Sequence, residues 1–89
     1  MVPTVWPKWW EWELRLSHHL QLRMAERDLD EVDLRELMEA AAGFTPGARE
    51  GRFLIYTIRR RRRWIIVVEP DWEVSRLVVV TALPDGVES

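Results

Sequence analysis

The chain has 89 residues, 47% hydrophobic and 31% charged, with a formal net charge of −2, six Trp and no Cys. That is the profile of one small globular domain, and the absence of cysteine excludes disulfides, thiolate chemistry and cysteine zinc sites. No stretch reaches the ~18 consecutive apolar residues of a membrane span, and MVPTVWPKWW has two prolines and no continuous signal-like apolar run, so a soluble, cytoplasmic protein with no membrane partner is expected.

One core is all that a chain of this size can build. Residues 1–89 read as a single domain: a Trp-rich arm at 1–9, a core at 10–84 and a tail at 85–89. Positive charge is unevenly placed, because residues 1–51 hold six basic and ten acidic side chains while residues 52–89 hold seven basic and five acidic. Five basic residues are consecutive, Arg59 to Arg63, so a local anionic partner is expected although the whole molecule would not steer RNA strongly.

In chain order, WEWELRL alternates from Trp10 to Leu16 and predicts a half-buried strand, with Trp10, Trp12, Leu14 and Leu16 on its apolar side. Ser17 stands where an N-cap belongs, and Leu20, Met24 and Ala25 form the stripe of a short helix to about Arg27. RDLD breaks that helix. Asp30, with Asp33 three residues on, caps a second one whose buried face is Val32, Leu34, Leu37, Met38 and Ala41 and which ends at Gly43. FTPGAREG, residues 44–51, reads as a loop. RFLIYTI, WIIVVE and RLVVVTAL read as three meandering strands, with the arginine run at the first hairpin tip and no glycine to enforce a tight two-residue turn. The expected order is β-α-α-β-β-β, an α+β domain with two helices on one face of a roughly four-stranded, mainly antiparallel sheet.

The spacing H-x-x-x-R-M-x-E-R at His19, Arg23, Met24, Glu26 and Arg27, followed by DLDEVDLRELM, resembles the first half of a widespread bacterial domain family. GRFLIYTI resembles that family's first hairpin strand, and WIIVVEPDWEVSRLVVVTALP its closing strand pair, so the resemblance covers roughly residues 12 to 84. The family is usually placed among the barnase-EndoU-colicin-RelE nuclease-like folds. Its relatives include RelE-type and BrnT-type ribonuclease toxins. The resemblance therefore implies a RelE-like fold, metal-independent RNA cleavage and an antitoxin partner. Where the family often has Tyr two residues after the Thr of VVT, this chain has Leu83, so that role is missing or passes to Tyr56, the only Tyr present.

Positions 19, 23 and 27 of a helix drift by only about 40° per step of four, so His19, Arg23 and Arg27 form one stripe beside the apolar one. In the first turn, His19 would feel the positive helix end and Arg23, both of which disfavour imidazolium and leave a neutral imidazole, with His19 as either the general base or the acid. RNA cleavage without a metal also needs cations on the phosphorane charge and an acid for the leaving oxygen. On this reading His19, Arg23 and Thr81 are catalytic, while Arg27, Arg52, Tyr56, Arg59, Arg61 and Arg63 bind substrate, with no cofactor or metal. The competing reading has His19 bonding a strand carbonyl and the arginines pairing with Glu26, Asp28 or Glu31 on a solvated face. His18, off the stripe, reads as exposed. Trp6 and Trp9 lie outside the alternating strand and read either as an interface for self-association or as rings packed over the sheet. Two functions follow: an endoribonuclease of toxin type, or a non-catalytic RNA-binding or protein-binding module of the same fold, acting as a homodimer.

Overall fold

The structure, a computed structural model, describes residues 5–85; residues 1–4 of the arm and 86–89 of the tail lie outside the described residues. After a single 3-10 turn at Lys8–Glu11, the elements run β1 (Glu13–Leu16), α1 (His18–Glu26), α2 (Glu31–Glu39), β2 (Gly43–Pro46), β3 (Phe53–Arg59), β4 (Arg62–Asp71) and β5 (Arg76–Pro84). The strands form one sheet in the order β1-β5-β4-β3-β2, antiparallel throughout except that β1 runs parallel to β5. The architecture is thus α+β, with one strand more than the sequence patterning predicts. The additional strand, β2, lies at the start of the expected loop, where Ala42 and Gly47 donate backbone hydrogen bonds to the carbonyls of Tyr56 in β3 and of Arg52 just before it.

Both helices begin at the residues that can cap them. The Ser17 hydroxyl accepts from the Leu20 amide at 3.0 Å and donates to the Val80 carbonyl at 2.8 Å, fastening the helix start to β5. Asp30 and Asp33 form a reciprocal capping box at the start of α2. Between the helices, Leu29 N–H reaches the Met24 carbonyl at 2.8 Å, and Asp28 takes the left-handed position (φ 56°) that usually belongs to glycine. This closure turns the chain sharply into α2, which stops at Glu39 rather than at Gly43.

The helices cover one face of the sheet. Leu20, Leu34 and Leu37 meet Ile55, Ile66, Val68, Leu77 and Val79, and all eight are fully buried. Of the expected α2 face, Leu34, Leu37 and Met38 are buried, but Val32 is 62% exposed and belongs to the solvent side. Thr57 is the buried polar residue of this core, and its hydroxyl bonds the Leu37 carbonyl, tying β3 to α2.

The Trp-rich segment corrects the alternating-strand expectation. Pro7 starts the 3-10 turn, so the strand begins only at Glu13, and Trp9 instead of Trp10 turns into the core with 3% exposure. Trp6 folds back to stack on Trp10 at 4.1 Å and on Phe44 at 5.4 Å. Trp9 is therefore unavailable as an exposed interface ring, and both tryptophans pack within the chain.

A second departure lies in β5. Val67 pairs with Thr81 but Val68 pairs with Val79, so Val80 is an extra residue that bulges. The bulge reverses the faces beyond it. Leu77 and Val79 point to the helices before it and Ala82 does so after it, which turns Thr81 and Leu83 to the opposite side of the sheet.

A candidate anion-binding cleft

The arginine run closes the β3–β4 hairpin more tightly than its composition suggests. Arg59 pairs with Arg62, leaving a two-residue turn of Arg60 and Arg61, both in the left-handed region at φ 51° and 65°. Two consecutive positive φ values are the signature of a type I′ turn, which matches strand twist and normally employs Asn-Gly. Here two arginines hold that backbone, at a steric cost of about 1 kcal/mol each.

Strand alternation then sorts the five guanidinium groups. Arg59 and Arg62 lie on the helix side with Thr57 and Trp64, whereas Arg63, opposite Ile58, lies on the other. Arg59 pairs with Asp33 and reaches Glu36 at 3.3 Å, which pins the hairpin to α2. A backbone hydrogen bond from Asp30, followed by the charges of Arg59 and Arg60, holds the Asp33 carboxyl below its usual range against the opposing effect of desolvation. The Arg62 guanidinium lies 5.7 Å from the centre of the Trp64 ring.

Between this hairpin and the α1–α2 turn lies a cleft of about 270 Å³. Leu29 and Trp64 supply its apolar wall, and Arg27, Arg59, Arg60 and Arg62 its cations, with Asp28 the one acid among its lining residues. Arg27, Arg60 and Arg62 have no carboxylate ion pair among the described residues. Forked donors beside an aromatic ring suit a phosphate with an attached planar or apolar group.

The structure separates most of the remaining candidates from one another. His19 is exposed on the first turn of α1, about 12 Å along the helix axis from Arg27. Arg23 is paired with Glu26 at 2.9 Å. Thr81 lies across the sheet from both helices because of the bulge, so His19, Arg23 and Thr81 do not converge. Arg52 bonds Glu69 at 2.9 Å beyond the far end of β3, and Tyr56 shares a 2.9 Å hydrogen bond with Thr45 on the face that the helices leave open. Arg61 is at the turn tip, and His18 is exposed. Among the described residues no group of three or more His, Asp or Glu is placed to hold a metal ion, and no helix is long and apolar enough to cross a membrane.

Of the expected binding residues, Arg27 and Arg59 reach the cleft. Arg60 and Arg62 belong to the arginine run expected to meet an anion but not to the individually named binding residues, and Leu29 and Trp64 were not singled out by sequence reasoning, although the i, i+2 spacing of Arg62 and Trp64 already places them on one strand face. Comparison with protein-family models, with curated proteins and with solved structures finds no match to this chain.

Proposed function

We propose that this protein is a non-catalytic RNA-binding module with a RelE-like fold, which grips the sugar-phosphate backbone in the arginine cleft. One observation carries the reading: three guanidinium groups with no close carboxylate ion pair among the described residues, Arg27, Arg60 and Arg62, line a single cleft beside Trp64. The order β-α-α followed by a meander is compatible with a RelE-like fold. The separation of His19 from Thr81 favours binding over the endoribonuclease reading, because the expected proton-transfer group and the hydroxyl expected to position the phosphate do not meet around one scissile phosphate.

Arginine contacts to phosphate are indifferent to sequence and release counterions. Affinity for single-stranded RNA should therefore fall steeply with salt, with a log–log slope of about −0.7 per neutralised phosphate. Fluorescence anisotropy with a labelled oligoribonucleotide tests this. Arg60→Glu and Arg62→Glu should each flatten the slope and weaken binding, while Arg49→Glu, in the β2–β3 loop, should leave it unchanged. Equal loss in all three variants would refute the cleft. The same RNA kept in EDTA should remain intact; cleavage by wild type that His19→Ala abolishes would instead establish the endoribonuclease and imply an antitoxin.

A further inference from the structure

Arginine holds a nucleic acid by its phosphates, a contact that RNA and DNA offer alike. One residue of the cleft is of the opposite kind. Asp28, in the α1–α2 turn, is exposed and lines the same cleft as Arg27, Arg60 and Arg62. Among the described residues its carboxylate nevertheless makes no ion pair and no hydrogen bond. A short polar side chain is tolerated in the left-handed region when it bonds the nearby backbone, but Asp28 stands there at φ 56° without such a bond. The position thus carries two costs: strain that glycine would relieve, and a negative charge that opposes any polyanion. Of the four described non-glycine residues with positive φ, two, Asp28 and Arg60, line this cleft from its opposite walls. Strained positions gather where a ligand is gripped.

We propose, resting on the RNA-binding reading of this cleft, that Asp28 accepts a hydrogen bond from the ribose 2′-hydroxyl and so selects RNA over DNA. The side-chain inventory leaves it this role. Four guanidinium groups and the Trp64 indole are donors only, and the Asp28 carboxylate is the acceptor among the lining side chains. A phosphate diester has no proton to give it, whereas the 2′-hydroxyl has one and is the group that DNA lacks. Dinucleotide-binding folds direct a carboxylate to a ribose hydroxyl in the same way. Arg60 and Arg62 come from the hairpin wall and Asp28 from the facing turn, so a nucleotide between them can offer its phosphate to one wall and its sugar to the other. The carboxylate repels both polymers, and only RNA offsets part of that repulsion. Discrimination therefore arises as a penalty on DNA.

Fluorescence anisotropy tests this with three oligonucleotides of one base sequence at one salt concentration: RNA, deoxyuridine-containing DNA, and 2′-fluoro RNA, which keeps the RNA-like sugar pucker but has no 2′ proton to donate. Wild type should bind RNA about fivefold or more tighter than either of the others, as one hydrogen bond to a charged group allows. Asp28→Gly should bind all three within about twofold of one another, because the two that lack the hydroxyl gain most when the repulsion is removed. Asp28→Asn keeps an acceptor oxygen and suits the left-handed turn, so it should retain part of the preference. A wild type with no preference, an Asp28→Gly variant that keeps it, an Asp28→Asn variant with no more than Asp28→Gly, or 2′-fluoro RNA bound as tightly as RNA would each overturn the proposal. Arg60→Glu and Arg62→Glu separate the two levels. If they weaken RNA and DNA alike while wild type shows no preference, the arginine cleft stands and the role of Asp28 falls; if wild type binds none of the three, both fall.

Discussion

The β3–β4 turn makes the sharpest prediction. Arg60 and Arg61 both sit in the left-handed region, where a residue with a Cβ is disfavoured by about 1 kcal/mol. Replacing the pair by Asn-Gly, which the type I′ turn prefers, should recover about 1–2 kcal/mol and raise the melting temperature of a domain this size by roughly 4–10 °C. The control is Arg60→Ala with Arg61→Ala, which removes the same charges but retains the backbone strain. Thermal denaturation followed by circular dichroism should rank Asn-Gly above Ala-Ala, with wild type nearer the latter. The same Asn-Gly variant deletes one cation lining the cleft, so the salt slope for RNA should shrink by at least about 0.7. The tight turn would thus be stabilised at the expense of binding. An Asn-Gly variant no more stable than Ala-Ala would refute the strain argument, and an unchanged salt slope would remove Arg60 from the binding surface.

Three further expectations are independent of that turn. Asp28→Gly relieves a left-handed position and removes the acid from the cleft lining, so it should raise stability by about 0.5–1 kcal/mol and also tighten RNA binding, read by melting and anisotropy together. Asp33 has its folded pKa below the unfolded one, so its stabilisation is present above the ordinary carboxylate range and disappears as pH falls through the depressed value. Urea titrations from neutral pH down past about pH 4 should show a shallower acid limb for Asp33→Asn than for wild type, and identical limbs would contradict the stabilisation of this carboxylate by the Asp30 backbone N–H and the charge of Arg59. Trp9→Ala should cost about 3–5 kcal/mol as a core truncation, far more than Trp6→Ala; a reversed order in chemical denaturation would contradict the burial of Trp9.

Features governed by local chemistry were legible in the sequence. Ser17 and the Asp30–Asp33 pair announce helix starts because the groups that satisfy the free amides lie within three residues of them. The β3 to β5 runs announce themselves by their β-branched content. What escaped depends on partners distant in sequence. Edge strand β2 is four residues ending in Pro46 and exists because β3 offers it a ladder. The inward turn of Trp9 follows from the 3-10 geometry after Pro7, which breaks the period of two that WEWELRL suggests. The bulge at Val80 matters most for the site, since strict alternation would leave Thr81 on the side of Leu77 and Val79, facing the helices. One inserted residue therefore decides that the expected catalytic group and the expected base lie on opposite sides of the sheet. The cleft was half legible: the arginine run is plain in the sequence, but the turn that sorts its members between two faces is not.

The parallel pairing of β1 with β5 has a consequence for how the chain reaches this state. Glu13–Leu16 finds its partner in Arg76–Val79, and the Ser17 hydroxyl finds its acceptor at Val80, 63 residues later in the chain. During synthesis the first strand and the capped start of α1 wait for the last strand to emerge before they can dock on it. Hairpin contacts form early, while closure of the sheet carries nearly the full loop entropy of the domain and should be the slow step of folding.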